Sequence, residues 1–280
     1  MIGEEKKIFI SDDISLHAKI YERGNPVWLI VTHGLGEHGQ RHEYLEKIFS
    51  QYFNICLYDL RGHGRSSGKR GHIDSFQEYS EDLKEVLDYL HLEYEMDKYV
   101  LFGHSMGGLI TASFMQNTVS KHLYPQKVFL SGPAVAGAGC LGKLFQFTPL
   151  PFIGTLSNIP FSVALEGLLD ISKLSHDPRV YENYIQDPLN TLKIQTKLFF
   201  ELLKESKKVF SRPLRIECDL FCAVAMSDAL VDSEAVVEYF TSIEKNSTLY
   251  KATGAYHEIH NEIEKYREPY FKFLKDSLLF

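Results

Sequence analysis

The chain has 280 residues, 44% of them hydrophobic, with a formal net charge of −7. That length holds one large α/β domain or a domain with an insertion. The acidic balance and the lack of a long basic run argue against nucleic acid as a partner and against strong attraction to anionic lipid. No run of about 18 apolar residues occurs, so no membrane-spanning helix is expected. The start, M-I-G-E-E-K-K, is charged and no apolar signal region follows it. Cys56, Cys140, Cys218 and Cys222 are scattered. Cys218 and Cys222 lack the second close pair that a metal site would use. These features lead us to expect a reduced, cytoplasmic compartment.

Lys7–Ile10 and Ile14–Tyr21 alternate apolar and polar residues, as an antiparallel hairpin at a sheet edge would. Val27–Thr32 is a near-continuous apolar run, the pattern of a strand covered on both faces. A glycine-rich loop, His33-Gly34-Leu35-Gly36-Glu37-His38-Gly39, follows, then a helical stretch from Arg41 to Gln51. Asn54–Tyr58 reads as a second buried strand, ending at Asp59. Phe76–Leu92 places Tyr79, Leu83, Val86, Leu87 and Leu90 at helical spacing, with Ser75 and Glu78 as a capping box. Tyr99–Phe102, Leu109–Gln116 and Lys127–Leu130 continue the alternation, which predicts a mostly parallel sheet.

The pattern breaks after Gly132. Ala134–Ser172 holds only three charged residues, Lys143, Glu166 and Asp170. Phenylalanine and leucine crowd it, Leu168 and Leu169 among them, and Pro149, Pro151 and Pro160 prevent one long helix. Asp187 with Pro188 then reads as the start of an amphipathic helix through Leu192, Phe199 and Leu203. Residues from Ala134 to about Pro213 therefore read as a helical insertion: a lid whose apolar side lines an acyl pocket, with extra core or a dimer interface as the plainer account. Leu220–Met226, Ser233–Ile243, Thr248–Lys251 and Glu262–Leu279 resume the α/β pattern.

Chemistry concentrates at Gly103-His104-Ser105-Met106-Gly107, a G-x-S-x-G between a predicted strand and a predicted helix. The bare pattern arises by chance in about one chain in ten of this length, so its context must carry it. A serine nucleophile needs a base, an acid to orient the base, and donors for the oxyanion, and in this arrangement acid and base follow the serine in that order. Asp228 follows the Leu220–Met226 strand and His257 the next one, so both fall in loops at the sheet edge that carries Ser105. Asp232 is a rival acid, better read as a helix cap; His260 is a rival base. The N–H groups of Met106 and of Leu35, in the loop after Val27–Thr32, are the expected oxyanion donors.

That loop also matches G-x-G-x-x-G, with Asp59 placed as a ribose-binding acid would be. A dinucleotide site would leave Ser105, Asp228 and His257 unexplained, and two strands precede the unit. Asp59 then reads as a carboxylate bracing the loop around Gly62 and Gly64. His38 and His42 share a helical spacing and read as a surface pair rather than a metal site.

Several blocks together carry a resemblance: H-G-L-G-E-H (His33–His38) with R-H-E-Y-L after it, D-L-R-G-H-G-R-S-S-G (Asp59–Gly68), G-H-S-M-G-G (Gly103–Gly108), L-S-H-D-P (Leu174–Pro178), Y-I-Q-D-P-L (Tyr184–Leu189), S-D-A-L-V-D (Ser227–Asp232) and G-A-Y-H-E-I-H-N-E (Gly254–Glu262). In these blocks the chain resembles the monoacylglycerol lipases and bacterial lysophospholipases of the α/β-hydrolase superfamily. The resemblance implies an α/β-hydrolase core, residues 1–133 and 214–280, with a helical cap at 134–213. It implies Ser105, Asp228 and His257 as a triad, Leu35 and Met106 as the oxyanion hole, no metal or organic cofactor, and esters of single-chain lipids as substrates. A short-chain carboxylesterase is the nearest alternative, and a non-catalytic binding protein or an oxidoreductase the remote ones. An exposed apolar lid would dock on a membrane surface or a second subunit; composition does not separate these.

Overall fold

A computed structural model describes residues 3–120, 124–159, 161–167 and 170–280. Pro160, Leu168 and Leu169, counted above in the apolar stretch, lie outside the described residues. An eight-stranded sheet forms the centre, built from β1 (Glu4–Phe9), β2 (Ser15–Tyr21), β3 (Val27–Thr32), β4 (Asn54–Tyr58), β5 (Lys98–His104), β6 (Lys127–Ser131), β9 (Asp219–Ala225) and β10 (Ser247–Ala252). Its order is β1-β2-β4-β3-β5-β6-β9-β10. The β1/β2 and β2/β4 pairs are antiparallel and the rest parallel. The edge hairpin and parallel core are those the alternation predicts.

Apolar β3 is buried at every position because helices cover both faces. Trp28 and Ile30 pack with Leu83, Val86, Leu87 and Leu90 of α2 (Gln77–Tyr94) and Leu109 and Phe114 of α3 (Met106–Asn117). Leu29 and Val31 point the other way, toward Leu45 and Phe49 of α1 (Tyr44–Phe49) and Tyr270, Leu274 and Leu278 of α9 (Glu264–Leu278). α8 (Ser233–Glu238) closes the first face.

Three local expectations change. The Arg41–Gln51 helix divides into a 3₁₀ turn at Gly39–His42 and the short α1. At the start of α2 only half a capping box forms: the Ser75 N–H donates to Glu78 Oε1 at 2.8 Å, while the cap position is Phe76 and has no side-chain cap bond. Asp187 starts no helix. It closes α6 (Pro178–Gln186), where its Oδ1 accepts from the Leu189 N–H, while Asp177 and Pro178 cap the other end.

Between β6 and β9 the chain leaves the sheet and forms α4 (Gly139–Phe147), α5 (Leu150–Ser157), α6 and α7 (Thr196–Val209). This stretch is not purely helical: β7 (Ala164–Glu166) pairs antiparallel with β8 (Lys193–Gln195). Lys193–Gln195 falls in the first turns of the helix expected from Asp187 onward, and α7 starts only at Thr196. Three consecutive residues give no periodicity to distinguish a short strand from a helix turn.

The turn joining β5 to α3 leaves no room for side chains. A Cβ on Gly107 would stand 2.1 Å from the Thr32 carbonyl oxygen and 2.5 Å from that of His33; one on Gly103 would stand 2.5 Å from the Gly107 oxygen. Gly107→Ala must push α3 off β3 and is expected to cost about 3 kcal/mol, at the upper end for overpacking. Urea unfolding checks this; a loss below ~0.5 kcal/mol would show that the helix shifts freely.

Candidate active site

β5 ends at His104 and α3 begins at Met106, so Ser105 must reverse the chain alone. It does so at φ 54°, ψ −117°, a left-handed conformation that a side chain rarely adopts. The turn is held by the Ser105 N–H donating to the Ser131 carbonyl at 2.9 Å and by the Ala134 N–H donating to the Ser105 carbonyl at 3.1 Å. The Ser105 side chain projects above the sheet's carboxyl edge.

Loops after β9 and β10 bring two more groups there. The Ser105 hydroxyl lies 2.9 Å from His257 Nε2, to which it donates, and His257 Nδ1 donates to Asp228 Oδ2 at 2.6 Å. Asp228 Oδ1 accepts from the N–H groups of Leu230 and Val231 at 2.8 and 3.0 Å, which fixes the carboxylate. Burial opposes an imidazolium at His257, but the charge and hydrogen bond of Asp228 outweigh it, with Glu258 and Glu37 adding to the effect. Its pKa therefore lies above the usual 6.5. Such a chain of bonds polarises a hydroxyl toward attack on an electrophile.

The two expected oxyanion donors flank the serine. The N–H groups of Leu35 and Met106 have no protein acceptor among the described residues. Met106 is the first residue of α3, where an amide is free by the geometry of a helix start. The rivals fall elsewhere. Asp232 caps α8, accepting from the N–H groups of Glu234 and Ala235 at 3.1 Å each. His260 is buried against His42, Tyr44 and His104, away from Ser105. Asp59 is buried, and its oxygens accept from the N–H groups of Gly39 and Arg65 at 2.8 and 2.7 Å. It braces the two loops as expected, through Arg65 and Gly39 rather than Gly62 and Gly64, and its Oδ2 also meets His17 Nδ1 at 3.2 Å.

Other polar groups at the site were not legible in the sequence. Glu37 is buried; it accepts from the Gly34 N–H at 2.5 Å, from Arg41 Nε at 3.1 Å and from His42 Nε2 at 3.1 Å. Burial would raise its pKa, but the contact with His42 and the charge of Arg41 hold the carboxyl well below the usual range. Arg41 also donates to both oxygens of Glu258 at 2.7 and 2.6 Å. His38 and His42 are therefore not a surface pair. Both are buried, and His38 Nε2 pairs with Asp187 Oδ2 at 2.9 Å. Helical spacing identified them, but spacing carries no information about which carboxylate folds over a residue. No group of side chains able to hold a metal ion occurs among the described residues.

Two cavities open from Ser105. One, of about 610 Å³, is almost wholly apolar and is lined by Met106, Ala134, Gly137, Phe199, Leu203 and Val231 beside Leu35 and Ser105. Its cap wall is α7, not the Phe- and Leu-rich α4 and α5, whose Leu144, Phe147 and Phe152 face outward. Phe145 instead packs edge-on against Phe199 and Phe200. The other cavity, about 330 Å³, is the more polar of the two: Glu37, His104, Tyr184, His257 and Glu258 line it among Leu35, Ile171, Leu174 and Leu230. It meets a wider cap cavity of about 730 Å³ through Leu35, Ile171 and Tyr184.

Comparison with known proteins places this geometry. The family model described as serine aminopeptidase, S33, matches residues 26–264. A phospholipase of Bacillus subtilis (strain 168) is 30% identical over 251 residues, 87% of this chain and 92% of that one. The monoglyceride lipase of Rattus norvegicus is 29% identical over 248 residues, 86% of this chain and 78% of its own length. The crystal structure of a monoacylglycerol lipase from Paleococcus ferrophilus superposes with a TM-score of 0.79 at 27% identity, covering 93% of this chain and 97% of that one. The chain belongs to the serine aminopeptidase S33 family of α/β-hydrolases.

Proposed function

We propose that the protein is a serine hydrolase of single-chain lipid esters, monoacylglycerols or lysophospholipids, working through an acyl-enzyme. The observation that carries this reading is the unbroken chain from Ser105 through His257 to Asp228, set between an apolar and a polar cavity. The similarity to monoglyceride lipases and to a phospholipase supports the lipid class. The narrow apolar cavity takes an acyl chain, since burying about 25 cal/mol per Å² of chain surface favours a long one. Residues 134–213 act as the cap that walls it.

In this reading Ser105 Oγ attacks the ester carbonyl while His257 Nε2 takes its proton. Asp228 keeps the Nδ1–H tautomer and stabilises the imidazolium. The N–H groups of Leu35 and Met106 donate to the oxyanion. The imidazolium then gives its proton to the alcohol oxygen as the C–O bond breaks, and the alcohol departs through the polar cavity. Water, deprotonated by His257, releases the fatty acid and restores Ser105.

Phe147, Phe152, Phe161 and Val163 are each more than half exposed on the cap. Among the described residues no helix is long and apolar enough to cross a membrane. A lipid surface is the occupant this exposed apolar face suits, since a substrate with one long chain resides in membranes.

Ser105→Ala should lower kcat on the order of 10⁶-fold while leaving the circular dichroism spectrum unchanged; substantial residual ester cleavage would sink the nucleophile. The acid limb of kcat/KM should rise through the His257 titration, above the ordinary 6.5, because only the neutral imidazole accepts the proton. Asp228→Asn removes what raises that pKa and leaves the burial that lowers it. The limb should then move to lower pH while the plateau drops about 10⁴-fold. A limb that stays in place would remove Asp228 from its role. Phe147→Asp with Phe161→Asp should cut co-flotation with phosphatidylcholine vesicles by at least about tenfold and spare hydrolysis of a soluble p-nitrophenyl ester. Undiminished flotation would show that another surface meets lipid.

A further inference from the structure

The polar cavity beside Ser105 has an acidic wall. Glu37 and Glu258, each 2% exposed, both line it. Arg41 is their shared partner: Nε bonds Glu37, one terminal nitrogen bonds both oxygens of Glu258, and the guanidinium lies 4.6 Å over the Tyr184 ring. Two carboxylates thus divide one permanent cation, with the His42 ring as a further partner of Glu37, and neither lysine nor arginine lines the cavity among the described residues. The buried rings of His104 and His260 add no charge, because desolvation keeps them neutral. Further out, the wider cavity is lined by another acid, Glu166, whose partner Lys193 is an exposed side chain 3.4 Å away.

Charge and hydrogen-bond chemistry point the same way. An anion placed here meets net negative charge in a site shielded from water, where screening is weak. A phosphate diester offers acceptors alone, and the charged acceptors on the wall it would face are the carboxylates of Glu37 and Glu258. The hydroxyls of a polyol offer donors to those same oxygens. On a glycerol backbone the phosphate of a lysophospholipid is separated from the ester oxygen by three carbons, so it must enter this cavity along with the alcohol.

We propose that Glu258, with Glu37, makes the alcohol side of the site a charge filter that admits a neutral polyol and rejects a phosphorylated one. Of the two lipid classes named above, the monoacylglycerol is then the substrate and the lysophospholipid is excluded. This rests on the reading of Ser105 as the nucleophile and of the polar cavity as the alcohol side.

The test compares fatty-acid release from 1-decanoylglycerol and from 1-decanoylglycerol 3-phosphate, both below their micelle concentrations, with Ser105→Ala as blank. The expected kcat/KM ratio favours the neutral lipid by on the order of a hundredfold. Glu258→Gln leaves Arg41 less neutralised and should shrink that ratio at least about tenfold, with the phosphorylated ester gaining in absolute rate. The labelling rate of Ser105 by a fluorophosphonate reports whether the variant remains folded. Equal turnover of the two lipids by the unaltered protein, or a ratio that Glu258→Gln leaves in place, overturns the filter and leaves the hydrolase standing. A second measurement needs no variant. Glycerol should compete with hydrolysis of a p-nitrophenyl ester at concentrations where glycerol 3-phosphate does not, and equal inhibition by the two overturns the proposal. Absence of Ser105-dependent release from both lipids sinks the lipid-ester reading itself, and the competition against the p-nitrophenyl ester then still decides the charge preference.

Discussion

Arg41 is the residue on which the geometry above the sheet depends. It sits just after the loop that follows β3 and binds a carboxylate from each of two loops: Glu37, within three residues of Gly34, and Glu258, next to His257. The loop that offers the Leu35 amide and the loop that offers the imidazole are therefore tied to one planar cation. A guanidinium suits this task because its fork presents several fixed donors at once, which an ammonium cannot. The ties are costly to break one at a time: removal of the cation would leave Glu37 with the Gly34 N–H and His42, and Glu258 with Asn261, to offset a desolvation penalty of several kcal/mol for each buried charge.

A second constraint lies in the backbone. Ser105 holds a strained left-handed conformation, and the strain persists because both neighbours are fixed. The parallel strands β5 and β6 set the Ser131 carbonyl where the Ser105 N–H can reach it, and the missing side chains of Gly103 and Gly107 let α3 begin directly against β3. The same compression that exposes the hydroxyl leaves the Met106 amide without an internal partner.

The segment between β6 and β9 divides by chemistry. Its latter part is bound to the core by polar links: His38 to Asp187, His176 Nδ1 to Glu262 at 2.7 Å, and the Thr191 N–H to the Gly36 carbonyl at 2.8 Å. Its earlier part, α4 and α5, turns Leu144, Phe147 and Phe152 outward while Phe145 and Ile153 pack inward, and it is tied to α7 by Lys197, which donates to the Ser157 carbonyl, and Lys207, whose ammonium donates to the carbonyls of Phe145, Gln146 and Thr148. Much of the apolar surplus visible in the composition therefore faces outward, while α7 supplies the cavity wall.

The parallel core, the hairpin edge and the boundaries of β3 and β4 were readable from the chain because burial on two faces demands continuous apolar runs and burial on one face alternation, and such patterns are local; the order of the strands was not. Ser105, Asp228 and His257 were readable because each stands at a strand end, in an order that topology allows. Asp187 and the Lys193–Gln195 strand were misread because one turn of chain carries too little periodicity to identify its own form. His38, His42, Glu37 and Glu258 show the deeper limit. Their partners lie up to 217 positions away, as with Arg41 and Glu258. By itself the sequence determined the layered fold and singled out the three side chains that the structure joins by hydrogen bonds, since those follow from local pattern and chemistry. Only the tertiary structure decided which charges are buried together and which side of the cap meets water, because pairing and burial are properties of distance in space and not along the chain.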